Sequence, residues 1–486
     1  MRKAINRTPA HQLSAAIKNL NTPARASLLY TAANFFSRFC ALVFTPIFTR
    51  IMPISDYGRF SLFQAYLSIL VAISTLEMGG AVLLRGFARF SGEEDKVLLS
   101  SFKITAVVSI GATLVFSLVY RSESFFPGAL PMMIFSVTGT SFINLFAARC
   151  KYFYKAAPFF ALTILTSLIC PTVALFALRL GIGENFGAAA VRQGATSIVY
   201  LACAVTVCLY TLYGIKKKSA GISRTRDIVS YLLRLCLPMI PYYTSVMLVS
   251  QLDKIMVEKF LGADMLAKYS VALSVALGIS VISSGLSQIL SGWLIRRGRD
   301  SLRAERVCSL ALLLLSLGII AYLAIAPELF HIIAPESYNE AIGCIYPLSI
   351  SVIPVFVCGI LTPVTLLDEK CAPAAFSGIF ALALDFALLI SFTERYGIFF
   401  AAIAHLVSYL ALCFLFLALT KKRFSASRAF ALKFICTTTL CSLAALIEYR
   451  LASFIHLRLL ILASATLAAL AAAFKNRSLI FESRKA

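Results

Sequence analysis

The chain has 486 residues, 60% of them hydrophobic and only 14% charged, with a mean hydropathy of +0.86. Soluble domains carry about 45–50% apolar and about 25% charged residues, so too little charged surface exists to keep this much apolar side chain in water-soluble cores, and the surplus faces lipid. The 45 Lys and Arg against 22 Asp and Glu, net +23, sit in short clusters between apolar runs. That is the use of charge that sets membrane orientation, and it argues against nucleic acid, which wants cations gathered on one face.

Residues 1–26 are polar and basic (Arg2, Lys3, Arg7, Lys18, Arg25) and hold no apolar core of a cleavable signal. The first hydrophobic segment is therefore expected to insert by itself. A spanning helix needs about 20 mostly apolar residues. Fourteen runs qualify: 28–50, 60–84, 103–120, 128–149, 159–179, 188–214, 231–254, 267–294, 307–326, 342–366, 374–393, 397–420, 430–449 and 457–474. With the N-terminus inside, basic residues favour the inside connections by roughly three to one, as at Lys216–Lys218, Arg296–Arg299 and Lys421–Arg423. The reading is an all-α polytopic membrane protein with both termini cytoplasmic.

Span 1 carries the sharpest polar feature. Arg38 lies about eleven residues into the run, roughly 16 Å at 1.5 Å per residue, and shares a helical face with Asn34, Thr45 and Thr49. Charge at that depth is costly and usually faces a wet cavity; snorkelling to the headgroups is the competing reading. Glu77 in span 2 sits near the depth of Arg38 and serves either a helix–helix ion pair or function. Arg85 ends the same run after Gly79-Gly80 and is either an orientation charge or a phosphate clasp.

The segment RIMPISDYGRFS (50–61) is echoed by KFLGADMLAKYS (259–270), with Arg59-Phe60-Ser61 matched by Lys268-Tyr269-Ser270. The offset equals six spans, which preserves orientation, so the halves are expected to be parallel repeats. The expected organisation is a basic segment over 1–26, a six-span lobe over 27–215, and a basic linker over 216–230. A second six-span lobe follows over 231–420, then two further spans within 421–474 and a cytoplasmic tail over 475–486. Two-lobed transporters of this kind bind between lobes near the midplane and rock one lobe against the other.

In span 7, Pro238 and Pro241 predict a bend, Tyr242 and Tyr243 are candidates for stacking on sugar, and Asp253 and Lys254 follow Gln251. Gly278, Gly285 and Gly292 in span 8 read as a close-packing seam. Asp385 in span 11 and His405 in span 12 lie at matching distances from the hairpin Glu394-Arg395-Tyr396-Gly397. They are expected at one depth, as a proton site or a static pair. Thirteen cysteines, without a CxxC pair, read as small buried apolar residues, and no metal or cofactor is expected.

The stretch from Asn34 to Leu84, with PIFTRIMPISDYGRFSLF and Met78-Gly79-Gly80, resembles the first helical pair of polysaccharide-repeat-unit flippases. These form the O-antigen (Wzx-type) branch of the multidrug/oligosaccharidyl-lipid/polysaccharide exporter superfamily. LPMIPYYTSVMLVSQLDKIMV is similar to the start of their second lobe. One departure is Leu266-Ala267 where the first repeat has Tyr57-Gly58. The resemblance implies a bacterial inner-membrane protein that carries an undecaprenyl-diphosphate-linked oligosaccharide to the outer leaflet. It implies inward H+ or Na+ as the driving ion and other polysaccharide-assembly proteins as neighbours. Arg38 and Arg85 would contact the diphosphate, and Asp385, His405, Glu77 and Asp253 are coupling candidates. A peptidoglycan-precursor flippase and a drug or cation exporter of the same superfamily are the alternatives. A glycan polymerase or ligase fits poorly, because the segment 327–341 offers only Glu328, His331, Glu336 and Glu340 and no catalytic motif.

Overall fold

The structure, a computed structural model, describes residues 23–119 except 77 and 80, then 126, 128–181, 186–217, 225–297, 302–366, 372–420, 428–450 and 455–475. The described chain is nearly all helical. In order it forms α1 (Pro23–Ile51), α2 (Ile54–Thr75), α3 (Ala81–Arg89), α4 (Glu94–Val119), α5 (Ala129–Tyr152), α6 (Ala156–Arg179) and α7 (Ala188–Lys217). Then follow α8 (Thr225–Cys236), α9 (Ile240–Leu261), α10 (Ala263–Ala276), α11 (Ser280–Arg297), α12 (Leu302–Ile333), α13 (Ile345–Ile350) and α14 (Val352–Leu366). The last are α15 (Ala372–Thr420), α16 (Arg428–Arg450) and α17 (Ile455–Lys475). Eleven stretches among the described residues are long and apolar enough to cross a membrane. The protein is a polytopic, all-α membrane protein.

The described parts of all fourteen apolar runs lie largely on helices, and several of those runs are interrupted. The run 60–84 is broken: α2 stops at Thr75, Leu76 turns with φ 46°, and α3 begins at Ala81. A branched side chain at positive φ is unfavourable, so packing imposes the break. The two runs 374–393 and 397–420 are two helices, together labelled α15, that meet at a kink at Gly397 (φ 72°, ψ −163°), within the expected hairpin. The bend expected in span 7 is a short 3-10 turn at Leu237–Met239, and α9 then runs on to Leu261. The segment 327–341 is mostly helical, as the end of α12 and a 3-10 stretch over Glu336–Cys344.

The chain divides into two compact units. The first holds residues up to Ala41 and Leu70–Pro238, the second Leu42–Ile69 and Met239–Ala486. Within the first, α5 and α7 pack closely. A Cβ on Gly139 would come within 2.8 Å of the Tyr200 backbone, and the hydroxyls of Ser136 and Ser197 meet at 2.8 Å. Gln193 Nε2 donates to Ser136 Oγ at 2.9 Å. The start of α4 is anchored by a buried ion pair, Arg149 to Asp95 at 2.5 Å, with the guanidinium near the rings of Phe153 and Tyr210. The short amphipathic helices α3 and α8 pack together, with the Arg89 guanidinium 4.6 Å over the Tyr231 ring.

Within the second unit, the α1–α2 turn and the α9–α10 turn, the two copies of the sequence repeat, touch. A Cβ on Gly58 would lie 1.9 Å from the Ala263 carbonyl oxygen. Thr49 Oγ1 donates to Ile333 O (3.1 Å) and Arg50 to Ile332 O (3.0 Å), which fixes the end of α1 to the end of α12. The glycine seam of span 8 is close-packed at Gly278, whose Cβ would meet Tyr322 Oη at 2.9 Å. That hydroxyl already donates to Val275 O. α9 lies against α15 over much of its length, and this contact builds the site described next.

Candidate functional site

Three helices of the second unit bring ionisable side chains together in an apolar interior. α9 contributes Asp253, α10 contributes Tyr269, and α15 contributes Asp385, His405 and Ser408. All five are buried, Asp253, Asp385, Tyr269 and Ser408 completely. Asp253 is the hub. Its Oδ2 accepts from Tyr269 Oη at 2.6 Å and lies 3.2 Å from His405 Nδ1. Its Oδ1 accepts the Lys254 backbone N–H at 2.8 Å. Lys254 Nζ itself donates to Gln251 Oε1 at 2.9 Å.

Asp385 stands one step away. Its Oδ1 accepts from Ser408 Oγ at 2.9 Å, and its Oδ2 has no hydrogen-bond partner. Both Asp253 and His405 are within electrostatic reach of it. The kink at Gly397 makes this possible, because it folds back two halves of α15 that carry Asp385 and His405 either side of the turn. The sequence pairs His405 with Asp385; the structure instead sets Asp253 at ion-pair distance from His405 and gives Asp385 the Ser408 hydroxyl. The three coupling candidates Asp253, Asp385 and His405 thus share one cluster. Glu77 lies outside the described residues.

Two carboxylates and one imidazole leave at least one negative charge uncompensated when both acids are ionised. Unbalanced charge in low dielectric is expensive, so the cluster is suited to take up one proton or one small cation at a time. Among the described residues no group of three or more His, Cys, Asp and Glu is spaced to hold a metal ion.

The residues expected at a substrate are placed as follows. Arg38 is exposed on α1 between exposed Phe35 and Phe39, and it forms no hydrogen bond or ion pair among the described residues. Asn34 and Arg85 are half-buried, the latter with a partner. Thr45 and Thr49, on the face of α1 expected to continue the Arg38 stripe, are buried. Tyr242 is buried, its hydroxyl 2.7 Å from Thr362 Oγ1 and its ring stacked on Phe416. Tyr243 is half-buried, edge-on to Tyr242 with centroids 5.2 Å apart.

The chain matches no protein-family model. A curated relative, the Lsg locus putative protein 1 of Haemophilus influenzae, is 25% identical over 272 residues, covering 54% of this chain. The match spans 64% of that protein's length, under two thirds. Among solved structures, the lipid II flippase MurJ in an inward closed conformation superposes with a TM-score of 0.60 at 13% identity, over 93% of this chain and 100% of MurJ. A multidrug resistance MATE family transporter of the MOP superfamily matches in its outward-facing form with a TM-score of 0.58 at 14% identity, over 84% and 98% of the two chains. Its inward-facing form gives 0.55 at 13% identity, over 82% and 98%.

The fold is that of MurJ and the MATE transporters.

In this MurJ-like chain, sequence reasoning missed two partners of the buried cluster. Tyr269 was visible only as the aromatic of the repeat triplet, and no sequence signal shows that its hydroxyl reaches Asp253. Ser408 could have been found: it lies three residues after His405, on the same helical face. A second buried group on α12, α13, α16 and α17, containing Glu328, Tyr346, Glu448 and Arg458, was also missed, because each residue sits at the end of an apolar run and reads as an orientation charge or an interfacial aromatic.

Proposed function

We propose that this protein is a flippase that moves an undecaprenyl-diphosphate-linked oligosaccharide, an O-antigen or other polysaccharide repeat unit, from the cytoplasmic to the outer leaflet of the bacterial inner membrane. Both termini are cytoplasmic in this reading. The observation that carries it is Arg38, a cation about halfway along an apolar helix, exposed and without an ion-pair partner among the described residues. A cation exporter would want free carboxylates at its binding surface, whereas the free charge here suits an anionic headgroup. A guanidinium offers a planar fork to phosphate oxygens, and Asn34 and Arg85, in the same compact unit as Arg38, are assigned to the same ligand. The cluster of Asp253, Asp385 and His405 couples transport to inward movement of H+ or Na+.

A peptidoglycan-precursor flippase is the second reading, favoured by the match to MurJ along 93% of the chain. It shares the diphosphate-lipid headgroup and differs in the glycan.

Deleting the gene separates the two readings. Loss of surface polysaccharide with intact growth supports the first, and lysis with intact polysaccharide supports the second. In the deletion strain, Arg38→Ala at normal membrane levels is expected to abolish surface polysaccharide, and Arg38→Lys to restore part of it. Full polysaccharide from both variants overturns the charge-based site.

A further inference from the structure

The helices beyond the second six-span repeat carry a buried charged group of their own. Arg458, in the first turn of α17, is 4% exposed and gives both terminal nitrogens to Glu328 of α12, at 2.9 and 2.5 Å. One of them also donates to Ala324 O at 3.2 Å. The cation is therefore matched by Glu328, whose side chain is 38% exposed. Glu448, near the end of α16, is 0% exposed, and neither of its carboxyl oxygens has a hydrogen-bond partner among the described residues. Tyr346 of α13 is 4% exposed, and its hydroxyl is likewise unpartnered.

Charge and hydrogen bonds give the same result. Two acids against one arginine leave one negative charge over in the interior. An ionised carboxylate is a pure acceptor with about four lone-pair sites, and here it meets no donor. Such a group is stable only if neutralised. Held as the acid, Glu448 carries no charge and has one O–H to place, and the Tyr346 hydroxyl is an unused acceptor within its electrostatic reach.

We propose that Glu448 is a proton-binding site, built by α12, α13, α16 and α17 and separate from the Asp253–His405–Asp385 cluster on α9 and α15. The groups within electrostatic reach of it from the other helices are Tyr346 of α13 and Arg458 of α17, with Glu328 of α12 one step away on Arg458. Cys441 faces it from α16 itself, and neighbouring Tyr449 packs on Tyr346 and on Phe399 of α15. Arg458 is held by Glu328, and Glu448 forms no ion pair among the described residues. The inference does not depend on the transported substrate.

Infrared difference spectroscopy on the full-length protein in lipid nanodiscs, wild type against Glu448→Gln at neutral pH, tests it directly. The expected result is a carboxylic-acid C=O band in the wild type that is lost in Glu448→Gln and shifts in Tyr346→Phe. The neutral isostere is expected to fold, and its thermal midpoint to exceed that of the wild type by a margin that widens as pH rises, since only the wild type must retain a proton. A Glu448→Gln difference confined to the ionised-carboxylate region overturns the proposal. So does an acid band that vanishes when sodium chloride replaces choline chloride at constant pH, which would make the site a sodium site.

Discussion

Adding one methyl group at position 58 tests the contact between the two repeat turns. A Cβ there would lie 1.9 Å from Ala263 O, 2.7 Å from Ala263 C and 3.1 Å from Ala263 Cα. All three atoms belong to the backbone, so no side chain can rotate away. Relief requires the α1–α2 and α9–α10 turns to separate by more than about 1 Å, since carbon and oxygen rarely approach within about 3.3 Å. Overpacking typically costs about 1–3 kcal/mol, and a rigid backbone neighbour puts Gly58→Ala near about 3 kcal/mol, or roughly 150-fold in the population of the contact. The assay is cross-linking, in a cysteine-free background, of cysteines introduced at Thr49 and Ile333, where the short Thr49 side chain lies 3.1 Å from the Ile333 carbonyl oxygen. Gly58→Ala is expected to reduce the cross-link strongly, and Gly58→Val to abolish it. A cross-link yield and thermal midpoint unchanged in both would refute the reasoning.

Four further outcomes follow from other contacts. Arg149→Met removes the guanidinium paired with the buried carboxylate of Asp95 and is expected to destabilise by about 3 kcal/mol, with Asp95→Leu in the same chain restoring part of it; thermal unfolding in detergent decides. Tyr269→Phe removes a donor from Asp253 and is expected to cost about 1–3 kcal/mol, read by thermal unfolding. Asp385→Asn, which fixes that side chain in a neutral form, is expected to lose ion-driven transport and keep substrate binding; unchanged pH dependence would remove Asp385 from coupling. Gly139→Ala is expected to lower the thermal midpoint, because its Cβ would meet the Tyr200 backbone at 2.8 Å.

Much of the architecture was legible because lipid imposes a simple code: a run of about 20 apolar residues has no option but helix. What sequence could not show is where helices break and what they touch. The break after Thr75 leaves Leu76 at φ 46°, a conformation that leucine does not signal. The departure of the second repeat, Leu266-Ala267 for Tyr57-Gly58, carried no sign of what the glycine approaches. In the structure Gly58 is helical, and the glycine is needed for the approach of Ala263. At the site, equal depth along α15 placed Asp385 and His405 together, but depth alone cannot rank two carboxylates. Asp253 wins the histidine because α9 packs along α15. Arg38 was legible as an anomaly of charge in an apolar run; in the structure it is exposed on α1, whereas Thr45 and Thr49, expected to continue its stripe, are buried.

The most direct measurement is translocation in vesicles holding the purified protein and an undecaprenyl-diphosphate-linked oligosaccharide labelled on its glycan. The label is followed by its loss to a membrane-impermeant quencher, with and without an imposed proton gradient. The expected result is gradient-stimulated movement by the wild type and none by Arg38→Ala. Equal movement by the two proteins, or none by the wild type under any gradient, would contradict the account.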